Sequence, residues 1–241
     1  MKTFEVPDLV SATLIPGKQG ENIAPGDALL INLEMGILAV ADGPERNPDS
    51  SALFLERFAD FIETSDLLTG GMALTDDNFG RIVEGTNVLM RSTSYHENTT
   101  FSALIVGQDN SAVLLHTGDS LIFLIRRDGK RVAQMSRTNH YMVGRSPNLF
   151  QSEIITLCDG DVALLATDGI TDLAHCHGLS LEKFLFNRLD GMSPQGISHA
   201  IVASSGTVEV NLDDLGIIVA NLGGIRNRVP QTDRKHMILK Y

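Results

Sequence analysis

Four aspartates of this sequence stand in one kind of local setting. Asp42 closes ILAVADG, Asp119 lies in HTGDS, Asp168 in ALLATDG, and Asp213 in LDDLG just ahead of an apolar run. In each case an apolar segment lies close by, so a rigid sheet would aim the carboxylate from a strand end or tight turn. Several such carboxylates at one edge make a site for a hard divalent cation. Mg2+ and Mn2+ take oxygen ligands in octahedral geometry, keep several waters and commonly share a few carboxylates with a substrate phosphate. Taken singly, each Asp-Gly is also ordinary turn chemistry, and Asp109, Asp128, Asp159 and Asp161 read as turn residues on that ground.

Other chemistries find little footing. The chain has no Gly-x-Ser-x-Gly elbow, no Walker loop and no Gly-x-Gly-x-x-Gly after a strand. His175-Cys176-His177 lacks a second ligand pair at zinc spacing and reads as a polar loop. Cys158 and Cys176 fit no disulfide framework and read as reduced thiols. With 19 Lys plus Arg against 30 Asp plus Glu, the formal charge is −11, which argues against nucleic acid as a partner. A composition of 43% hydrophobic and 20% charged residues is that of a folded globular protein. The N-terminus has no apolar core of signal-peptide length, and no run approaches the ~18 apolar residues of a membrane span. A cytoplasmic protein without a membrane partner is the expectation.

The elements that must position these aspartates follow from the apolar pattern. Ala28 to Leu33 and Gly36 to Ala41 suit an antiparallel hairpin. Asn47, Asp49 and Ser50 offer caps for a helix through Phe58 and Ile62, and Thr75 caps a second through Phe79, Ile82 and Leu89. From Thr99 to Val132, short apolar runs separated by turn residues predict an antiparallel meander. EIITL and DVALLA form a further hairpin-like pair, helices are expected over 180–190 and 194–205, and LGIIVANL is a last strand. Helices segregated onto antiparallel sheets predict a layered α+β sandwich rather than βαβ units. The stretch from Gly223 is basic, with Arg226, Arg228, Arg234, Lys235 and Lys240 against Asp233, and reads as a solvated terminus.

In sequence order, ILAVADG, NTTFSALIV, LLHTGDSLIFLIRRDG, SRTNH, DGDVALLATDGITDL and DDLGIIVANL resemble the motifs of the metal-dependent protein phosphatases, the PPM or type 2C serine/threonine family. The resemblance spans about residues 18–222, and ALLATDGITDL is its most specific piece. It implies a four-layer α-β-β-α sandwich, two antiparallel sheets flanked by helix pairs, as a domain over 1–222 followed by the basic tail 223–241. It also implies Asp42 bridging two Mn2+ or Mg2+ ions, with the Gly43 carbonyl on one and Asp168 and Asp213 on the other. Asp119, with Asp168, matches the aspartate that in many members holds a third, weaker ion. Asp27, in PGDALLIN, sits where the family has the aspartate that orients metal-bound water. The implied reaction is direct hydrolysis of a phosphoserine or phosphothreonine of a protein by a metal-activated water, with no phosphoenzyme.

The departures define a divergent N-terminal motif. Gly26 stands where the family usually has Glu, and Asn22 where many members have a phosphate-clamping Arg. Pro44-Glu45-Arg46-Asn47 follows Asp42-Gly43 in place of His or Met and two glycines, so the family's candidate general acid is missing. Arg46 is the replacement phosphate clamp, although an Arg before a helix also reads as solvated. Asp214 replaces the usual Asn, Gly216 the usual Thr or Ser, and Asn139 the Asp before His140, which keeps a structural or flap role. Tyr141 to Gln151 is short for the substrate-side flap. The alternative to an enzyme is therefore a pseudophosphatase that binds a phosphoprotein or partner without turnover.

Overall fold

The computed structural model describes residues 1–17, 25–44, 47–65, 67, 74–126, 131–188, 192–207, 213–227 and 236–241. The chain begins with strands β1 (Lys2–Val6), β2 (Val10–Ile15), β3 (Ala28–Asn32) and β4 (Ile37–Ala41), then helices α1 (Ser50–Thr64) and α2 (Asp76–Ser92). Strands β5 (Phe101–Val106), β6 (Ser111–Thr117), β7 (Leu121–Arg126), β8 (Arg131–Gln134), β9 (Gln151–Thr156) and β10 (Val162–Ala166) follow. Helices α3 (Gly169–Cys176), α4 (Leu181–Phe186) and α5 (Pro194–Gly206), strand β11 (Leu215–Asn221), helix α6 (Leu222–Arg226) and strand β12 (Met237–Leu239) complete it.

The strands form two antiparallel sheets, ordered β1-β2-β11-β10-β7-β8 and β12-β3-β4-β5-β6-β9. Their apolar side chains define three hydrophobic layers. Leu29, Leu38, Val40, Leu104, Leu114, Ile122, Leu165 and Ile218 fill the space between the sheets. Leu30, Ile37 and Ala39 of the second sheet face Leu55, Phe58 and Ile62 of α1, with Ile82 and Met90 of α2. Leu164, Ile217 and Val219 of the first sheet face Leu173, Phe184 and Ile201 of α3, α4 and α5. Strands covered on both faces are mostly apolar, and ALLIN, ILAVA, FSALIV and VALLA are buried throughout, with the polar Asn32 and Ser102 hydrogen-bonded to Glu63 and His116. The α-β-β-α sandwich is the predicted one, except that three helices rather than a pair cover the first sheet. Thr75 caps α2 as expected, its hydroxyl accepting from Asn78 N at 3.2 Å, whereas Asp49 at the α1 N-cap makes no side-chain capping bond and instead pairs with Lys240 at 3.5 Å.

Several sequence expectations are corrected. The meander breaks after β6: β5 and β6 pair in one sheet, but β7 pairs with β10 in the other. The chain crosses between sheets at Gly118, whose φ of +108° is open to glycine and whose Cβ would stand 2.6 Å from Thr100 Cβ. Likewise β9 pairs with β6 and β10 with β7 and β11, so EIITL and DVALLA are no hairpin but a second crossing. Strands β1 and β2 extend the first sheet where no strand was read. His175 and Cys176 end helix α3 instead of lying in a loop. The basic terminus, in its described parts, forms α6 and β12, and β12 pairs with β3.

These connections bring one end of both sheets together. Asp42 leaves β4, Asp119 precedes β7 on the crossing, Asp168 leaves β10, Asp27 precedes β3, and Asp213 precedes β11 by two residues. The aromatic cluster behind this end is tight: Phe101 meets Phe54 and Phe58 edge-on, at ring centroid separations of 5.0 and 4.9 Å. Phe101→Ala is expected to cost about 3–5 kcal/mol of unfolding free energy in guanidinium titration, by loss of buried surface and a residual cavity. A cost under about 1 kcal/mol would show that this end is not packed as described.

Candidate metal centre

Backbone and hydroxyl bonds from other segments fix the chain that carries Asp42 and Asp119 and hold the Asp27 carboxylate. Asp42 N donates to Thr100 Oγ1 at 2.9 Å, and the Asp42 carbonyl accepts from Thr99 Oγ1 and Thr100 N, both at 2.8 Å. Thr100 Oγ1 lies 2.6 Å from Ser120 Oγ, tying Asp42 to the residue after Asp119. The crossing before Asp119 is held by Asn139, which accepts from Gly118 N at 3.1 Å and whose own N–H donates to the Gly118 carbonyl at 2.8 Å. His116 buttresses the same turn from beneath, 2.8 Å from Ser102 Oγ through Nδ1 and 3.0 Å from the Arg137 carbonyl through Nε2. Burial pulls its pKa down to about 4, so the ring is neutral.

Asp42, Asp119 and Asp168 each offer a carboxylate oxygen within 4.8 Å of the others. Burial, then the charges of Asp168, Asp119 and Asp213, push the Asp42 carboxyl up to about 8. Asp168 rises to about 7 from burial first and then Asp119 and Asp213. Asp27, fully buried, is raised well above the ordinary range by burial and next by Asp42. It accepts a 2.8 Å bond from Thr167 Oγ1, which in turn accepts from Gly216 N at 2.8 Å. Asp213 acts on Asp42 and Asp168 through its charge but is not one of the three oxygens that converge, and its Oδ1 accepts from Asp214 N at 2.8 Å. Arg46 lies outside the described residues, as do Glu21 and Asn22.

The residues fit a divalent cation. Among the described residues, Asp119 Oδ1 is buried with no hydrogen-bond donor. An orphaned acceptor beside two carboxylates that repel each other is what a cation would satisfy, supplying both the missing contact and the compensating charge. A second cluster within the same reach, Asp60, Glu63 and His236, reads differently. There Glu63 Oε1 is taken by His236 Nδ1 at 2.7 Å and Asn32 Nδ2 at 3.0 Å, which fastens the start of β12 to α1.

The divergent positions also have physical reasons. A Cβ on Gly26 would stand 2.0 Å from the Gly43 carbonyl oxygen, and the Gly26 carbonyl accepts from Gly43 N at 3.2 Å. No acidic side chain fits at residue 26 in this backbone. Asp214 clamps the same loop, accepting from Gly17 N at 2.6 Å and Gly26 N at 2.8 Å. A Cβ on Gly216 would meet Leu29 Cδ2 at 2.9 Å. Sequence reading missed Thr100, Thr167 and the clamping role of Asp214. The first two stand in NTTF and ATDG, beside residues already singled out.

A double antiparallel sandwich with helix pairs outside defines the PPM-type phosphatase fold. Residues 66–222, more than half of the chain, match the family described as Stage II sporulation protein E (SpoIIE), and the chain belongs to that family. No curated protein sequence matches it. Among solved structures it is similar to PppA, a key regulatory component of T6SS in Pseudomonas aeruginosa, with TM-score 0.69 and 19% identity over 88% of this chain and 96% of that one. The serine/threonine phosphatase PstP/Ppp of Mycobacterium tuberculosis matches with TM-score 0.65 and 16% identity over 88% and 97% of the two chains. A PstP catalytic domain in complex with two manganese ions matches with TM-score 0.66 and 16% identity over 88% and 96%. At these identities the likeness is one of fold. No helix among the described residues is long and apolar enough to cross a membrane.

The raised carboxyls give the metal-free protein a pH dependence. Asp42 and Asp168 hold protons when folded up to about 8 and about 7, while the unfolded chain releases them near 3.8. In that window the folded state binds more protons, so stability falls as pH rises from about 4 to about 8. In chelator, the melting temperature is expected to decline across this range, and Mn2+ is expected to raise it more at pH 8 than at pH 5, because cation and protons compete. Asp42→Asn should stabilise the chelated protein at pH 8 and abolish most of the Mn2+ shift. An unchanged Mn2+ shift in that variant would remove Asp42 from the centre.

Proposed function

We propose that this chain is a metal-dependent phosphoserine/phosphothreonine protein phosphatase, a hydrolase of phosphomonoesters in cytoplasmic signalling. The observation that carries this reading is the half-buried, mutually repelling set of Asp42, Asp119 and Asp168 with its orphaned Asp119 oxygen. These three, with the Gly43 carbonyl and Asp213 beside them, would hold two Mn2+ or Mg2+ ions, with a third and weaker one at Asp119 and Asp168. Bound divalent cations lower the pKa of water and neutralise charge on the phosphoryl oxygens.

The protein's own groups supply orientation and proton control. Thr167 Oγ1 fixes one oxygen of Asp27 and leaves Oδ1 outside that bond. In this reading Asp27 orients the attacking water, and its raised proton affinity, from burial and then Asp42, supports a part in proton control. The bonds from Thr99 and Thr100 hold the Asp42 main chain still while its carboxylate works. Arg46 is the proposed contact to the substrate phosphate.

One observation favours the second reading, a phosphoprotein-binding module without turnover: residue 26 has no room for the acidic side chain usual in the family. Turnover of p-nitrophenyl phosphate and a phosphothreonine peptide separates the two. With Mn2+ the chain is expected to hydrolyse both, to lose activity in EDTA, and to lose at least about 100-fold in kcat/KM on Asp168→Asn. Hydrolysis that persists in EDTA contradicts the mechanism. An inert protein that still binds Mn2+ and the phosphopeptide is the binding module.

A further inference from the structure

A cationic and aromatic stretch of this acidic protein is tied to the neighbourhood of the carboxylates. From residue 134 to residue 152 the chain carries Arg137, His140 and Arg145 and no Asp or Glu. The middle of this segment is fastened to the Asp42 neighbourhood. Val143 N donates to the Thr99 carbonyl at 2.9 Å, and Thr99 is the residue whose hydroxyl bonds the Asp42 carbonyl. That attachment sets the Arg145 guanidinium over the ring of Tyr95, 4.9 Å from its centroid. Tyr95 is 61% exposed, although large aromatic rings are normally covered.

Tyr95 and His96 form one wall of an open hollow of about 430 Å3, lined also by Asn47 and Asn98. Its other two walls belong to chain segments that flank the carboxylate site. Asn98 precedes Thr99, and its carbonyl accepts from Ser50 Oγ at 3.3 Å. Asn47 N donates to the carbonyl of Pro44, two residues after Asp42, at 2.8 Å. Glu97, the acid nearest this wall in sequence, is engaged by Arg57 at 3.3 Å. Arg137 and Arg145 have no carboxylate within ion-pair distance among the described residues, whereas Arg57, Arg91 and Arg226 do.

We propose that this hollow is a substrate subsite that accepts an acidic side chain close in sequence to the phosphorylated residue, with the Tyr95 ring as its apolar wall and Arg145, which does not line the hollow but stacks on that ring, as the neighbouring cation. The inference rests on the phosphatase reading and names the substrate class for it. A guanidinium already oriented on an aromatic ring loses little freedom when it binds a carboxylate. The occupant is a short acidic segment rather than a long polyanion, because the patch is small and the protein around it is strongly negative.

The test uses the full chain with Mn2+ and matched phosphothreonine peptides carrying Glu or Gln at each flanking position in turn. For the best position, kcat/KM is expected to favour Glu roughly tenfold, chiefly through KM, and less so at high salt. In Arg145→Gln the Glu-to-Gln ratio should fall to within about twofold, and Arg145→Lys should restore part of it. Because the ratio is taken within each variant, a general change in activity cancels. An absent preference, or one that Arg145→Gln leaves intact, overturns the subsite. If no peptide is hydrolysed the phosphatase reading fails separately, and fluorescence anisotropy of the same labelled peptides then decides. Tighter binding of the Glu peptide that Arg145→Gln abolishes supports the subsite, and equal binding of Glu and Gln peptides overturns it. A single-stranded oligonucleotide bound as tightly as the acidic peptide would also overturn it, by marking a general polyanion surface.

Discussion

The structure turns on like charges held together where water reaches them only in part. Asp42, Asp119 and Asp168 come from a strand end in one sheet, a crossing between sheets and a strand end in the other, and their oxygens converge within 4.8 Å. The Gly169 backbone N–H favours the Asp168 carboxylate, but burial and mutual repulsion outweigh it and raise Asp42 and Asp168 far above the ordinary range. The energy that holds them in place comes from elsewhere: the apolar layer between the sheets, the layers beneath the helices, and the hydroxyl bonds of Thr99, Thr100 and Thr167. A sandwich packed in three layers is stiff enough to keep such a cluster assembled until protons or cations relieve it.

The loop before β3 fits the same constraint. Gly26 lets it lie directly on Gly43, closer than any Cβ permits. The clamp on that loop is itself acidic, since both oxygens of Asp214 receive backbone N–H groups from Gly17 and Gly26. A carboxylate is thus spent on holding the chain, at a position where burial raises its pKa and two amide donors lower it. Asp27 then starts its strand from a fixed point, with Thr167 reaching across from the opposite sheet to bind it.

Much of this was legible in the sequence, because an apolar run ending in Asp marks a carboxylate at a strand end whatever the strand pairs with. ILAVADG and ALLATDG are of that kind. The pairing itself was not legible. Strands covered on both faces show no period-two alternation, so β6 and β7 look alike whether they form a hairpin or part company at Gly118. Helix α3 was hidden because His175 and Cys176 are exposed at its end. The clamp of Asp214 joins residues more than 180 positions apart, which no local pattern encodes. Only the folded chain shows that Gly26 and Gly216 are small because other atoms occupy the space.

The central claim, that three chain segments converge to share divalent cations, is tested most directly by anomalous diffraction from crystals grown with Mn2+. The account predicts manganese peaks in contact with Asp42, Asp119 and Asp168. Peaks confined to Asp60, Glu63 and His236, or an empty carboxylate cluster at saturating Mn2+, would contradict it.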